Sequence, residues 1–318
     1  MKFKVFFFKR RYIYYVVLGL SLIILLVLFF ISGTPTPTFT TIDNNRLIKN
    51  YDVTGDGEKD LISIKTMDKK YMVSIASKEK SYELVPNKKL NTLGNHYDYW
   101  PLRITFVDVS RDKLPEIFTQ GAENGKAIQH IFVWDRTKFK DILCNANNIL
   151  GFIDLHNNKT PKIISGNVNE DTIHMSNYIF SQGSLINYVN NYNDNFLGKD
   201  SILSFIKYIQ GLPQNEIDKP NDIFYPGLDG DALSTIGVLS ASDNTFTFQD
   251  GVFMDNRCNT DGEIVEVKWT LNFKAISNKD SNIIKNYTLN LLLKTYGDAS
   301  EKYYFKISSI QLASKDNN

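Results

Sequence analysis

Two cysteines in 318 residues, Cys144 and Cys258, are too few for a disulfide framework. One long-range bridge is the most they can form, and two unpaired small hydrophobes is the simpler reading. The four histidines, His96, His130, His156 and His174, are dispersed with no metal-ligand spacing and read as surface or turn residues. Neither sign of charge is in excess, since 36 Lys and Arg stand against 35 Asp and Glu, and outside the amino terminus the basic residues are scattered. That removes the electrostatic case for a nucleic-acid partner. Gly-x-Ser-x-Gly, a phosphate loop, His-Glu-x-x-His and Cys-x-x-Cys are all missing, and with them the common signatures of nucleophilic hydrolysis, phosphoryl transfer and metalloproteolysis.

What is present starts with an apolar run, Tyr12 to Ile31. Its length of about 20 residues, at about 1.5 Å each, matches a bilayer core of about 30 Å. Lys2, Lys4, Lys9, Arg10 and Arg11 precede it, whereas Ser32 to Thr41 carries no charge, so the short end is expected in the cytoplasm and the bulk outside. Tyr12, Tyr14 and Tyr15 suit the interfacial aromatic belt. A cleaved signal peptide would have a shorter apolar region and a small-residue cleavage site, so the expectation is an uncleaved signal-anchor crossing the plasma membrane once. Residues 1–11 are then a basic tail, 12–31 the transmembrane helix, and 32–44, with Pro35 and Pro37 between threonines, a stiff stalk. The remaining chain is long enough for two cores, read as 45–195 and 196–318.

In the first of these, Asp52-Val53-Thr54-Gly55-Asp56-Gly57-Glu58-Lys59-Asp60 places oxygen donors at every second residue and runs into the strand-like Leu61-Ile62-Ser63-Ile64. Side chains of Asp52, Thr54, Asp56 and Asp60 with the Glu58 carbonyl can wrap one hard cation, and Gly57 permits the bend. Asp108, Ser110, Asp112, the Leu114 carbonyl and Glu116 repeat the offsets, with Lys113 in place of the glycine. A third copy keeps Asp154 and Asn158 but puts Lys162 where the last carboxylate should stand, and an ammonium there would repel a divalent ion. The copies begin about fifty residues apart, each between an apolar run and a strand-like run, the scale of one propeller blade. Ile128 to Trp134, Arg136 to Leu143 and Ser176 to Leu185 supply a strand-turn-strand rhythm after the second and third loops.

Over about 45–195 the chain resembles the FG-GAP/VCBS repeat family, the bladed β-propeller modules of integrin α-subunit heads and many bacterial surface proteins, with their D-x-[DNST]-x-D-G-x-x-[DE] loop. The resemblance implies calcium at Asp52, Thr54, Asp56, Glu58 and Asp60 and at Asp108, Ser110, Asp112, Leu114 and Glu116, and none at the third loop. Three units are fewer than the four to eight blades of a closed ring, so an incomplete β-propeller is expected. An EF-hand is the competing metal reading, but position twelve is Ser63 or Thr119 rather than Glu, and no helices flank the loops. A metal-free Asp/Gly turn between strands stays open.

From about Asn193 the rhythm changes. Asp200 to Gly211 places Ile202, Phe205, Ile206 and Ile209 at helical spacing, with Asp200 as the cap and Gly211 as the stop. After a polar segment with Pro213, Pro220 and Pro226, three alternating runs follow: Ile264 to Phe273, Tyr287 to Leu293 and Tyr303 to Ile310. One helix on long antiparallel strands reads as an α+β domain, similar in element order to the nuclear-transport-factor-like and cystatin-like folds. Asp229, Asp231, Asp250, Asp255 and Asp261 are carboxylates that could supply an acid and base pair, though each reads more simply as a turn former.

The function expected is that of a non-catalytic, membrane-anchored extracytoplasmic binding or scaffold protein, with calcium-stabilised loops and a protein or surface polymer as partner. The alternatives are a membrane-tethered hydrolase with its site in the distal domain and a bitopic subunit of an envelope assembly.

Overall fold

Alternation of apolar and polar residues builds most of the structure, which is a computed structural model describing residues 40–41, 47–48, 51–78, 80–169, 172–188, 196–213 and 219–313. The tail, the transmembrane run and most of the stalk lie outside these residues. Among the described residues no helix is long and apolar enough to cross a membrane.

Three successive antiparallel meanders carry the three loops. The first orders β2 (Leu47–Ile48), β3 (Leu61–Met67), β4 (Lys70–Ala76) and β5 (Ser81–Glu83) side by side. In β4, Tyr71, Val73 and Ile75 are buried while their neighbours face outward, the period of a half-buried strand. The second comprises β6 (Arg103–Val107), β7 (Glu116–Glu123), β8 (Lys126–Trp134) and β9 (Phe139–Asn145). Against β6 lies the two-residue β1 (Thr40–Thr41), so these two residues of the segment read as stalk are paired into a sheet. The third comprises β10 (Ile149–Ile153), β11 (Lys162–Asn169), β12 (Thr172–Ser181) and β13 (Ser184–Tyr188). Tight hairpins with positive φ at both central residues occur in all three, at Asp68-Lys69, Asn124-Gly125 and Gln182-Gly183. Such turns match the right-handed twist of the strands they join.

The meanders stack face to face through β6 and β10, strands buried on both sides. In β6, Ile104 and Phe106 pack with Ile62, Ile64, Val73 and Ile75 of the first meander, while Val107 points the other way, to Phe118, Leu150 and Phe152. In β10, Leu150 and Phe152 face the second meander, and Ile149 and Ile153 face the distal core. Fully burying one such side chain stabilises by about 1.5–3 kcal/mol, which makes these interfaces the main cohesion of the array.

Among the described residues no sheet closes on itself. The third meander instead continues through a parallel pairing of β10 with β14 (Asn244–Cys258), Ile149 opposite Gly251, into the antiparallel β15 (Ile264–Ser277), β16 (Ile284–Thr295) and β17 (Phe305–Leu312). The resulting eight-stranded sheet crosses the boundary drawn at residue 195, and residues 39–318 form one compact unit.

The distal region is α+β, with two α-helices among the described residues where the sequence pattern predicts one. The first, α1 (Lys199–Gln210), buries Ile202, Phe205, Ile206 and Ile209 as its spacing requires. Its N-cap is Gly198 at φ +78°, and Asp200 lies inside the first turn, which corrects the capping role given to Asp200. A second helix, α2 (Gly230–Ala241), starts at Asp229, whose carboxylate accepts from the Ala232 N–H at 2.8 Å. The strand β14, which no clean alternation marks, places Asp250 and Asp255 within a buried strand rather than in the turns expected for them.

Candidate functional site

The three repeat loops occupy the same place in the three meanders, each joining the first strand to the second. Loops one and two share a backbone conformation. Gly55 and Gly57 have φ of +76° and +86°, and at the same offsets Arg111 and Lys113 have +60° and +75°. Lys113 therefore adopts the left-handed conformation of the glycine it replaces, at a steric cost that a glycine avoids.

Their carboxylates repeat three hydrogen bonds. Asp52 Oδ2 accepts from the Gly57 N–H at 2.9 Å, as Asp108 Oδ2 does from Lys113 at 2.9 Å. Asp56 Oδ1 accepts from Glu58 at 2.8 Å, as Asp112 Oδ1 does from Leu114 at 2.9 Å. Asp60 Oδ2 accepts from Val53 at 2.7 Å, as Glu116 Oε2 does from Val109 at 2.8 Å. The hydroxyls differ: Thr54 Oγ1 donates to the last carboxylate of its loop, Asp60 Oδ1, at 3.1 Å, whereas Ser110 Oγ donates to the first of its loop, Asp108 Oδ1, at 3.4 Å.

The last carboxylate of each loop is buried. Burial raises the Asp60 carboxyl above its ordinary value despite the bonds from Val53 and Thr54, with Asp56 adding repulsion. Burial likewise lifts Glu116 to about 7, against the lowering effect of Val109 and Ser110. A buried carboxylate without a counter-charge favours its neutral form, and a bound cation would reverse that preference.

The donor chemistry of loops one and two is all oxygen and suits a hard cation. The carboxylates are nevertheless turned to backbone N–H groups and do not converge: among the described residues, the set of three His, Cys, Asp or Glu donors lying within 4.8 Å of one another is His130, Asp141 and Cys144. Loop three does not fit a cation at all. Lys162 Nζ pairs directly with Asp154 Oδ2, and the positive φ falls on Asp154 itself. Asn158 plays no part in that contact, while Asn157 Nδ2 donates to Asp154 Oδ1 at 2.7 Å.

The loops also touch. Leu114 of loop two lies over Gly55, where an added Cβ would come 3.0 Å from Leu114 Cδ1. Arg111 Nη2 donates to the carbonyls of Asp154, Asn157 and Lys159 at 3.2, 2.8 and 2.6 Å. Loop three rests in turn on Asp255, which accepts from the N–H groups of Leu155 and His156 and pairs with the His156 ring at 3.3 Å. That bond to Asp255 raises the His156 pKa. One continuous row of loops results.

Compared with protein-family models, curated proteins and solved structures, the chain matches none of them.

The distal carboxylates serve separate contacts, with Asp231 in the first turn of α2. Asp229 caps α2, Asp250 pairs with Arg103, Asp255 holds loop three, and Asp261 lies in the turn before β15 with its N–H on Asn259 Oδ1. The histidine reading needs correction at His130, which is 1% exposed and hydrogen-bonded through both ring nitrogens, neither a surface nor a turn residue.

Proposed function

We propose that the chain is a membrane-anchored, extracytoplasmic binding or scaffold protein whose first two loops take up calcium, with no catalytic site, in the manner of an incomplete FG-GAP-like propeller. The observation that carries this reading is the threefold match of carboxylate hydrogen bonds between loops one and two on a common backbone. Two unrelated turns would have no reason to share it.

Each carboxylate oxygen that accepts one N–H keeps a further lone pair for an ion. Calcium would draw Asp52, Asp56 and Asp60 together and remove the repulsion between Asp56 and Asp60. Arg111 and Leu114 would pass that stiffening along the row of loops, where a protein or surface-polymer partner meets an edge of fixed shape.

The test is thermal melting of the purified full chain in calcium and in chelator. With extracellular-type affinity of about 10⁻⁴–10⁻³ M, calcium at about 10 mM stabilises by about 1.4–2.7 kcal/mol, a rise in midpoint of several degrees. Asp60→Asn should abolish the first loop's share. Identical midpoints in the two conditions would remove calcium from the account.

A further inference from the structure

Two strands of the second meander bring together a donor set of another kind. Across β8 and β9, His130 pairs with Cys144 and Phe132 with Asp141, with a register shift between Ile131 and Phe132. Ile142 is the extra residue. Residues three apart on a regular strand point to opposite faces, so without this bulge Asp141 and Cys144 would be on different sides of the sheet. With it, both face His130.

The surroundings are prepared for a ligand. His130 Nε2 lies 2.9 Å from the Thr92 carbonyl, which can only accept, so Nε2 carries a hydrogen. The other nitrogen, Nδ1, lies 2.7 Å from Asp141 Oδ2, and two lone-pair bearers at that distance require a proton or a cation between them. Asp141 Oδ2 also accepts from the Asn87 N–H at 2.7 Å, and the Leu90 backbone N–H donates to Cys144. Asp141 Oδ1 has no hydrogen-bond partner, although only 2% of this side chain is exposed and none of the His130 side chain is. An orphaned carboxylate oxygen at such depth is costly, and a cation satisfies it.

We propose that His130 Nδ1, Asp141 and Cys144 Sγ bind one divalent cation of the zinc class. The three ligand atoms lie within 4.8 Å of one another. Mixed nitrogen, oxygen and sulfur donors select zinc over calcium or magnesium, which take oxygen. The bond from Nε2 to a backbone carbonyl is the outer contact that fixes a metal-bound imidazole in the right tautomer. Tetrahedral zinc with bonds of about 2.0–2.1 Å to nitrogen and oxygen would open the Nδ1 to Oδ2 separation by about 0.6 Å, and a fourth position would remain for water. The site would tie β8 and β9 to the segment from Asn87 to Thr92 that leads out of the first meander. It is independent of the calcium loops.

Cobalt is the probe, added to the purified full chain under reducing conditions. One equivalent should give a sulfur-to-cobalt charge-transfer band that zinc displaces, that Cys258→Ser retains and that Cys144→Ser loses. Asp141→Asn should weaken zinc binding by at least about tenfold. Absence of the band from the unmodified chain, or its persistence in Cys144→Ser, overturns the site. X-ray absorption of the zinc-loaded unmodified chain decides without any variant: a shell with one sulfur among nitrogen and oxygen supports the assignment, and an all-oxygen shell overturns it.

Discussion

Arg103 Nη1 donates to Asp250 Oδ2 at 2.6 Å and so joins β6 to β14 across 147 positions of the chain, with 7% and 1% of the two side chains exposed. The carboxylate also accepts from Trp100 Nε1 at 2.5 Å and Asn272 Nδ2 at 2.9 Å, so both charges sit in a hydrogen-bonded frame between the second meander and the distal sheet. Removing one partner of a buried pair leaves the other charge uncompensated, at a cost of about 3–5 kcal/mol. Arg103→Met should lower unfolding stability by that amount in urea. Replacing both residues with apolar ones should restore much of it. A loss under about 1 kcal/mol from Arg103→Met would show that the pair is not insulated from water.

Glu116 gives the fold a pH dependence of defined sign. Burial lifts its carboxyl from 4.5 to about 7 in the folded chain, so between these values the folded state holds a proton that the unfolded chain has released. The stability is fully present below about pH 4.5 and is lost as pH rises through 7, a change on the order of 3 kcal/mol for a group moved from 4.5 to about 7. Asp60, also raised by burial, adds a term of the same sign starting from its ordinary 3.8. Denaturation across this window should show stability falling with pH, and Glu116→Gln should flatten the slope. An unchanged slope in the variant would assign the effect elsewhere.

The loops were legible because their information is local. Offsets of two residues placed Asp52, Thr54, Asp56 and Asp60 around one turn, and the structure repeats that turn at Asp108 to Glu116 with the same bonds. The helix α1 was legible from its apolar spacing. By contrast α2 contains Gly230 and Gly237 and leaves Leu233 and Val238 exposed beside buried Ile236 and Leu239, so no clean apolar stripe marks it. In β14, register shifts between Phe248 and Asp250 and between Asp255 and Arg257 break the alternation, and its carboxylates find partners far away in sequence. The grouping of His130, Asp141 and Cys144 was invisible for a similar reason. It depends on an extra residue at Ile142, and a bulge is fixed by which strand pairs with which.

Gly151 lies directly against Phe253 of β14. A Cβ there would lie 2.2 Å from Phe253 Cζ, and the Phe253 ring is stacked on Trp269 with centroids 4.3 Å apart. Both aromatic rings are fully buried, so neither can move into solvent. Gly151→Ala is expected to cost about 1–3 kcal/mol through overpacking, read as a lower thermal midpoint with perturbed tryptophan fluorescence. A neutral result would mean that the parallel pairing of β10 with β14 is looser than the geometry requires.

Lys162 separates two explanations for the third loop. Its ammonium pairs with Asp154, whose side chain is 4% exposed, and a carboxylate at this position would restore the residue type found at Asp60 and Glu116. Lys162→Glu should nevertheless destabilise the chain by about 3 kcal/mol or more, because a buried charge loses its partner and gains a like neighbour. Calcium should not repair the loss. The loop's backbone bends at Asp154 rather than at the third and fifth offsets, and its carbonyls at Asp154, Asn157 and Lys159 are taken by Arg111. Melting of the variant in calcium and in chelator distinguishes the cases. A calcium-dependent rise no larger than that of the unmodified chain indicates that the loop has lost the shape needed for an ion, whereas a larger rise, with recovery of the lost stability, would mean that Lys162 alone had kept one out.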